Sequence, residues 1–331
     1  MILDHFSYII TLGDEMITVV IPNYNGNKYL KQCIDSVYAQ DYKDIEVIII
    51  DNASTDGSYE WLKEYKDIIF KQLDKNYGFS RAVNEGIKLA KGEYVLLLNN
   101  DTELCSGFLK EMVQVIEVDH KIFAVSSKMI QYQNQELIDD AGDEYTVIGW
   151  PYKRGDGKSI NEYTNEERVF SACAGAALYR KAVFNEIGYF DETFFAYMED
   201  IDISYRANIY GYKNVYAPKA KVYHIGSATS GGRYSDFKLK LSACNSVYVP
   251  YKNMPLLQLV INSPFLILGL FVKQRVFARK GYGKAYKEGL IEGIKTLDKV
   301  KRVPFSVKYL PYYIYIEWVL IKNTIKYFIE K

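Results

Sequence analysis

The first hundred residues alternate between short apolar runs and longer segments in which apolar residues recur at helical spacing. The apolar runs predict strands at 17–21, 45–50, 68–73 and 94–98, and the spaced segments predict helices at 27–39, 58–65 and 79–90. Continuous apolar strands that alternate with helices are typical of a sheet covered on both faces. The pattern therefore predicts an α/β fold with a Rossmann-like, mostly parallel central sheet and helices on both faces.

Three of these strands end in polar side chains. The polar ends are Asn23-Tyr24-Asn25, Asp51-Asn52 and Asn99-Asn100-Asp101. Turn chemistry explains any one of them. Because ligands of open α/β sheets bind beyond the carboxyl ends of the strands, three polar ends on one edge predict a ligand site.

The pattern changes twice further along the chain. It weakens between about 120 and 170, where we expect added strands or a loop that covers an acceptor. An apolar segment follows at 255–272, interrupted by Pro264 and a few polar residues, and the next thirty residues hold ten lysines and arginines against three acidic residues. This order predicts a helical extension at 251–331 that attaches to an anionic membrane surface, lying on it rather than spanning it.

The alternative for that extension is a core helix with a solvated basic neighbour. The aromatic segment 309–319 is equally open, since tyrosine and tryptophan favour membrane interfaces but also form core or homodimer contacts. The N-terminus lacks the pattern of a secretory signal, and we expect residues 1–15 to be an extension before the first strand.

Composition excludes several classes of function. A formal net charge of +0 gives no electrostatic support for nucleic-acid binding. Four cysteines without CxxC spacing argue against a disulfide framework or a zinc site and suit a reducing cytoplasm, and three histidines exclude a histidine-rich metal site. No GxGxxG follows the first strand and no GxxxxGK[ST] is present, so dinucleotide-binding and P-loop functions lose their main support.

The candidate chemistry rests on carboxylates and one histidine. Asp51 can accept a hydrogen bond from a nucleobase imide or begin an Asx turn, and both interpretations are open. Asp101 offers an oxygen ligand to a divalent cation whose other ligands come from a diphosphate. His224 precedes a loop of small residues that can approach a phosphate closely.

A second acidic group lies in the stretch YMEDIDISYR. Glu199 and Asp200 are neighbours that raise each other's pKa, which suits a general base near neutral pH. Asp202 and Arg206 have the i,i+4 spacing of an ordinary pair on a helix surface.

Together these stretches resemble the family 2 glycosyltransferases, and more narrowly their rhamnosyltransferase-like branch. The resemblance covers about 16–230 with its motifs in the right order: VVIPNYNGNKYLKQCIDSVYAQ, IIIDNASTDGS, NYGFSRAVNEGIKLAKGEYVLLLNNDTEL, GAALYRKAVFNEIGYFDETFFAYMEDIDISYR and HIGSATSG. It implies the GT-A fold, a catalytic domain at 16–250, a nucleotide-sugar donor, a divalent metal (Mg²⁺ or Mn²⁺) and inversion at the anomeric carbon.

The resemblance also implies roles for individual residues. Asp200 is the catalytic base with Glu199 beside it, and Asp101 and His224 hold the metal. The implied donor-binding residues are Pro22, Tyr24, Asn25, Asp51, Asp56, Asn76, Arg81, Asn84 and Asn100. The chain departs from the family's DXD element at Asn99, where an amide replaces the first carboxylate, so metal dependence is less firmly implied than transfer.

The function implied is transfer of a sugar, foremost rhamnose from dTDP-rhamnose, to a polysaccharide or lipid-linked glycan at the inner face of the cell membrane. The alternatives are an inactive nucleotide-sugar-binding partner in a polysaccharide-assembly complex and a transferase that uses a UDP-hexose. Nucleotidyl transfer is disfavoured because the first strand is not followed by a glycine-rich turn.

Overall fold

The structure is a computed structural model that describes residues 15–58, 60–226 and 234–330. The predicted N-terminal extension, apart from its last residue, and most of the predicted small-residue loop after His224 lie outside these residues. The strands are β1 (Ile17–Asn23), β2 (Ile45–Asp51), β3 (Ile68–Gln72), β4 (Tyr94–Leu98), β5 (Thr102–Leu104), β6 (Ile122–Gln131), β7 (Ile138–Asp140), β8 (Asp143–Tyr145), β9 (Pro151–Lys153), β10 (Glu167–Val169), β11 (Ala176–Arg180) and β12 (Lys213–His224).

Helices cover both faces of the sheet and form the C-terminal part of the chain. They are α1 (Asn27–Tyr38), α2 (Phe79–Leu89), α3 (Phe108–Glu117), α4 (Phe184–Ile187), α5 (Glu199–Ile209), α6 (Asp236–Asn253), α7 (Leu256–Arg279), α8 (Gly283–Lys295) and α9 (Leu310–Glu330).

The central sheet runs in the order β10-β12-β6-β11-β4-β1-β2-β3, with β5 paired to β12 and β7 paired to β6. Strands β1 to β4 form its parallel part, and the predicted α/β fold is confirmed. Strand β11 pairs antiparallel with both β4 and β6 and so joins this part to the second half of the sheet. Consequently β1, β2, β4 and β12 point their carboxyl ends to the same edge.

One predicted helix is wrong. The segment 58–65 forms only a 3₁₀ turn over Trp61–Glu64. Hydrogen bonds of the preceding loop explain the difference, because the Ser58 hydroxyl accepts from the Asn23 amide and the Ser58 amide donates to the Asp56 carboxylate. These bonds hold the first part of the segment as a turn, and the residues that remain are too few for a regular helix.

The predicted C-terminal helical extension is present and packs on the preceding α/β part of the chain. Tyr313, Ile316 and Leu320 of α9 are buried in one cluster with Tyr145 and Tyr205. The other face of these helices is apolar and exposed, and α7 is long and apolar enough to cross a membrane by length and composition. Its exposed residues include Leu257, Val260, Ile261, Ile267, Leu268 and Phe271.

Candidate active site

A cavity of about 1380 Å³ opens at the edge of the sheet where β1, β2, β4 and β12 end. Eight of the residues predicted from the sequence line it: Pro22, Tyr24, Asn76, Asn100, Asp101, Glu199, Asp200 and His224. The structure therefore brings the predicted metal pair and the predicted base together in one cavity.

Strand pairing places Asp101 beside His224. Strand β5 pairs antiparallel with the end of β12, so that Thr102 lies opposite His224. The Ile225 amide also donates to the Asp101 carbonyl (3.0 Å). As a result His224 Nε2 lies 3.5 Å from Asp101 Oδ1, and both side chains are largely buried.

The other ring nitrogen of His224 has its own carboxylate partner. His224 Nδ1 lies 2.7 Å from Asp139 Oδ2, and the Lys153 ammonium lies 3.1 Å from both oxygens of Asp139. Burial alone would lower the pKa of His224, but hydrogen bonds to Asp101 and Asp139 outweigh it and raise this pKa to about 9.

Asn100 belongs to a buried hydrogen-bond network rather than offering a free ligand. Its amide donates to Asn23 Oδ1 (2.7 Å), and the Asn23 amide donates to Asp51 Oδ1 (2.8 Å). Asp51 is fully buried and also accepts from the Ser54 amide and hydroxyl. The local turn interpretation of Asp51 is therefore realised, and Asp51 does not line the cavity.

Asn25 and Asp56 also lie outside the cavity lining, in two loops that fasten to each other. Asn25 Oδ1 accepts from the Thr55 amide (2.9 Å), and Asp56 Oδ2 accepts from the Asn27 amide (2.8 Å). These bonds hold the loop that carries Tyr24 at the cavity wall.

Two residues of the stretch NYGFSRAVN, Arg81 and Asn84, have a different place from the one expected, whereas Asn76 lines the cavity. Asn84 exchanges hydrogen bonds with the Phe190 backbone, and Arg81 pairs with Glu192 (2.9 Å). Gly78 has φ +85°, and a Cβ there would lie 2.2 Å from the Phe195 carbonyl. Arg81 and Asn84 therefore do not line the cavity, because their side chains hold the segment that leads to Glu199.

That segment ends in a strained turn that presents the acidic pair. Tyr197 and Met198 have φ of 71° and 65°, values that non-glycine residues rarely adopt. The Asn245 amide of α6 donates to the carbonyls of Ala196 (2.9 Å) and Tyr197 (2.7 Å) and so fixes the turn. Helix α5 then begins directly at Glu199.

Glu199 and Asp200 differ in their surroundings. Glu199 is buried, its Oε2 has no hydrogen-bond partner among the described residues, and burial raises its pKa well above the usual range. Asp200 is half-buried on the cavity wall, and burial also raises its pKa although backbone amides oppose the shift. A carboxyl of raised pKa that faces a cavity can accept a proton from a bound hydroxyl.

The prediction that Asp202 and Arg206 form an ordinary surface pair is wrong. Both side chains are buried, and Asp202 Oδ2 accepts from Arg206 Nη2 (2.9 Å) and from Lys252 Nζ (2.9 Å). The two residues do form an i,i+4 pair on α5. However, α6 covers this face of α5, and the spacing of two residues does not show whether their helix face is buried.

The polar side chains of this site that sequence reasoning missed include Asp139, Lys153, Lys238 and Asn245. The first three line the cavity, and Asn245 supports the turn before Glu199. Asp139 had a signal in the sequence, because it belongs to an acidic pair shortly before Gly142. The others lie in stretches whose composition is ordinary.

Replacing Asn245 by alanine is expected to lower kcat about 10- to 100-fold, because the turn before Glu199 loses both of its side-chain hydrogen bonds and the acidic pair shifts. Steady-state kinetics with saturating donor measures the effect. Asn323→Ala is the matched control, since Asn323 is also buried on a C-terminal helix and donates to a backbone carbonyl, that of Tyr145. Equal losses of kcat in both variants would refute a specific role for Asn245.

The residues around Asp101 fit a divalent cation of the Mg²⁺ or Mn²⁺ class. Asp101 offers carboxylate oxygen and His224 offers an imidazole nitrogen, at a cavity wall large enough for phosphate ligands. The Asn99 amide of the same turn also lines the cavity. If a cation binds here, Asp101 and His224 would supply two ligands, and a diphosphate or water would fill the remaining positions.

Comparison with known proteins agrees with this geometry. Residues 18–188 match the sequence profile of the family described as glycosyl transferase family 2. The poly-beta-1,6-N-acetyl-D-glucosamine synthase of Staphylococcus epidermidis is 29% identical over 224 residues, which are 66% of this chain and 52% of that protein. The Staphylococcus aureus (strain COL) protein of the same name is 29% identical over 222 residues. The chain thus spans about half the length of the curated relatives that it matches.

Solved structures show the same fold. GalNAc-T7 with UDP, GalNAc and Mn²⁺ aligns with a TM-score of 0.60 at 20% identity, over 71% of this chain and 47% of that one. The mannosyltransferase PcManGT from Pyrobaculum calidifontis, in complex with GDP-Man and Mn²⁺, aligns with a TM-score of 0.52 at 16% identity, over 86% and 87%. The chain therefore has the GT-A fold, as the sequence resemblance implied.

Proposed function

The chain belongs to glycosyl transferase family 2, and we propose that it is an inverting glycosyltransferase that moves a sugar from a nucleotide-sugar donor to a glycan hydroxyl. One observation carries the proposal. Asp101 and His224, whose side chains lie 3.5 Å apart and offer two ligands to a divalent cation, line the same cavity of a GT-A fold as Asp200, a carboxylate of raised pKa.

The proposed reaction is a single displacement. Asp200 removes the proton from the acceptor hydroxyl while that oxygen attacks C1 of the donor sugar from the face opposite the leaving nucleoside diphosphate. Asp101 and His224 would hold a divalent cation, which would supply positive charge to the developing diphosphate. Lys238 also lines the cavity, where burial lowers the pKa of its ammonium although the charge of Asp101 opposes the shift.

The donor is the open chemical choice within this proposal. Resemblance to the rhamnosyltransferase-like branch favours dTDP-rhamnose as the donor. The curated relatives named above are poly-N-acetylglucosamine synthases, and they favour a UDP-linked N-acetylhexosamine as the donor. In both cases we propose that the product is part of a cell-surface polysaccharide.

A panel of dTDP- and UDP-sugars, each with Mn²⁺ and with extracted lipid-linked or polysaccharide acceptors, tests the proposal through release of the nucleoside diphosphate. Acceptor-dependent release by the wild type, abolished in Asp200→Asn, is the expected result. Binding of a nucleotide sugar without any turnover would instead support the inactive partner subunit. A separate incubation with a nucleoside triphosphate and a sugar 1-phosphate tests nucleotidyl transfer, which release of pyrophosphate would support.

We also propose that the C-terminal helices attach the enzyme to an anionic membrane surface. The apolar residues of α7 face outwards, and Arg275, Arg279 and Lys280 at its carboxyl end are exposed. Exposed apolar side chains next to basic ones are typical of interfacial helices. Attachment would place the cavity next to a lipid-linked acceptor.

Replacing Leu257, Ile261 and Leu268 together by glutamate is expected to lower binding to phosphatidylglycerol vesicles at least tenfold, because three exposed apolar side chains no longer enter the lipid. Co-sedimentation measures the bound fraction, and added salt is expected to weaken wild-type binding. Truncation of the extension is a poorer test, since α9 contributes buried residues to the core.

The matched control is Val118→Glu, because Val118 is an equally exposed apolar residue (70%) on the catalytic half of the chain. Its bound fraction is expected to equal that of the wild type. Unchanged binding of the triple variant, or equal binding to neutral and anionic vesicles, would contradict interfacial attachment through α7.

A further inference from the structure

One carboxylate outside the predicted ligand set touches the metal-binding pair. Asp139, in strand β7, forms a hydrogen bond with His224, and its Oδ2 lies 2.7 Å from His224 Nδ1. Lys153 holds Asp139 in turn, with its ammonium 3.1 Å from each carboxylate oxygen. The contacts form a continuous chain from Asp101 through His224 and Asp139 to Lys153.

These contacts orient the His224 imidazole as a metal ligand would need to be oriented. A histidine that binds a cation through Nε2 must keep its proton on Nδ1, and a carboxylate that accepts from Nδ1 fixes both this tautomer and the plane of the ring. His224 Nε2 points to Asp101, at 3.5 Å, as that role requires.

The contact is not needed to hold the two strands in place. The Gln131 amide donates to the Leu137 carbonyl (3.0 Å) and the Tyr132 amide donates to the His224 carbonyl (3.0 Å), so backbone bonds already fix both strand ends. The Asp139 carboxylate is therefore available for an electrostatic role.

We infer that Asp139 is a positioning residue for the metal site: it orients His224 and supplies, through that imidazole, part of the negative charge that the amide of Asn99 does not provide. The inference rests on the proposed function, because it concerns the cation of the same site. Lys153 fixes the carboxylate of Asp139 and keeps it from turning towards solvent.

Mn²⁺ binding tests this role without any need for turnover. The concentration of free Mn²⁺ is followed by electron paramagnetic resonance, first with Mn²⁺ alone and then with Mn²⁺ and UDP. Asp139→Asn is expected to raise the Mn²⁺ dissociation constant about 10- to 100-fold, the usual effect of losing a partner of a ligating histidine. Asp119→Asn is the matched control, because Asp119 also pairs with a lysine, Lys213, but at the opposite end of β12.

A double variant separates positioning from general structural support. If Asp139 acts through His224, Asp139→Asn has no further effect on Mn²⁺ binding in a His224→Gln background. Multiplicative losses in the double variant, wild-type Mn²⁺ affinity in Asp139→Asn, or a wild type that binds no Mn²⁺ would each overturn the inference. The donor panel, repeated with a chelator, decides the proposed transfer activity separately.

Discussion

Replacing Asp200 by asparagine is expected to lower kcat by about a thousandfold, because the acceptor hydroxyl then has no group positioned to take its proton. The substitution keeps the size of the side chain, and its carbonyl can still accept the bond from the Ile201 amide (2.8 Å). Donor binding is therefore expected to stay within a factor of a few of wild type. Nucleoside diphosphate release measures kcat, and calorimetric titration with the nucleotide measures binding.

Asp236→Asn is the control for this variant. Asp236 is also an acidic residue in the first turn of a helix, but it is exposed to solvent and does not line the cavity. Its removal is expected to leave kcat unchanged. Turnover of Asp200→Asn at the wild-type rate, with normal donor binding, would show that another group is the base.

The pH dependence provides a second test of the same role. Burial raises the pKa of Asp200, and the carboxyl must be ionised to accept a proton. Activity is therefore expected to rise with pH, with a midpoint above the ordinary range of aspartate. A profile of kcat/KM for the acceptor that is already flat at mildly acidic pH would contradict this assignment.

The parallel half of the fold was predictable because its signal is local. Strands β1, β2 and β4 are buried along nearly their whole length, so each appears as an uninterrupted apolar run. The second half was not, because β7 to β10 have only three residues each. Such short elements have too few residues to show a period.

The candidate site follows the same division. Asp101, Asp200 and His224 lie at the ends of elements or in motifs that a reader of the sequence can single out. Asp139 and Asn245 could not be assigned, because their roles arise from contacts with residues 85 and 48 or more positions away. Arg81 lies in a motif that the sequence shows, but the sequence does not show that its guanidinium contacts Glu192.

Replacing Asp202 by asparagine is expected to lower the free energy of unfolding by about 3–5 kcal/mol, since Arg206 would keep its buried charge without a carboxylate partner and Lys252 would keep only its pair with Asp191. Lys252 and Arg206 lower the pKa of Asp202 although burial opposes this, so its contribution is present above the usual aspartate range and is lost as acid protonates it. Urea denaturation measures the loss. The exposed pair Asp41 and Lys110 provides the control, and Asp41→Asn should leave the urea midpoint close to that of the wild type. A similar small effect at Asp202 would mean that α6 does not bury this charge cluster. It would also mean that α6 packs on α5 less tightly than the contacts of Lys252 indicate.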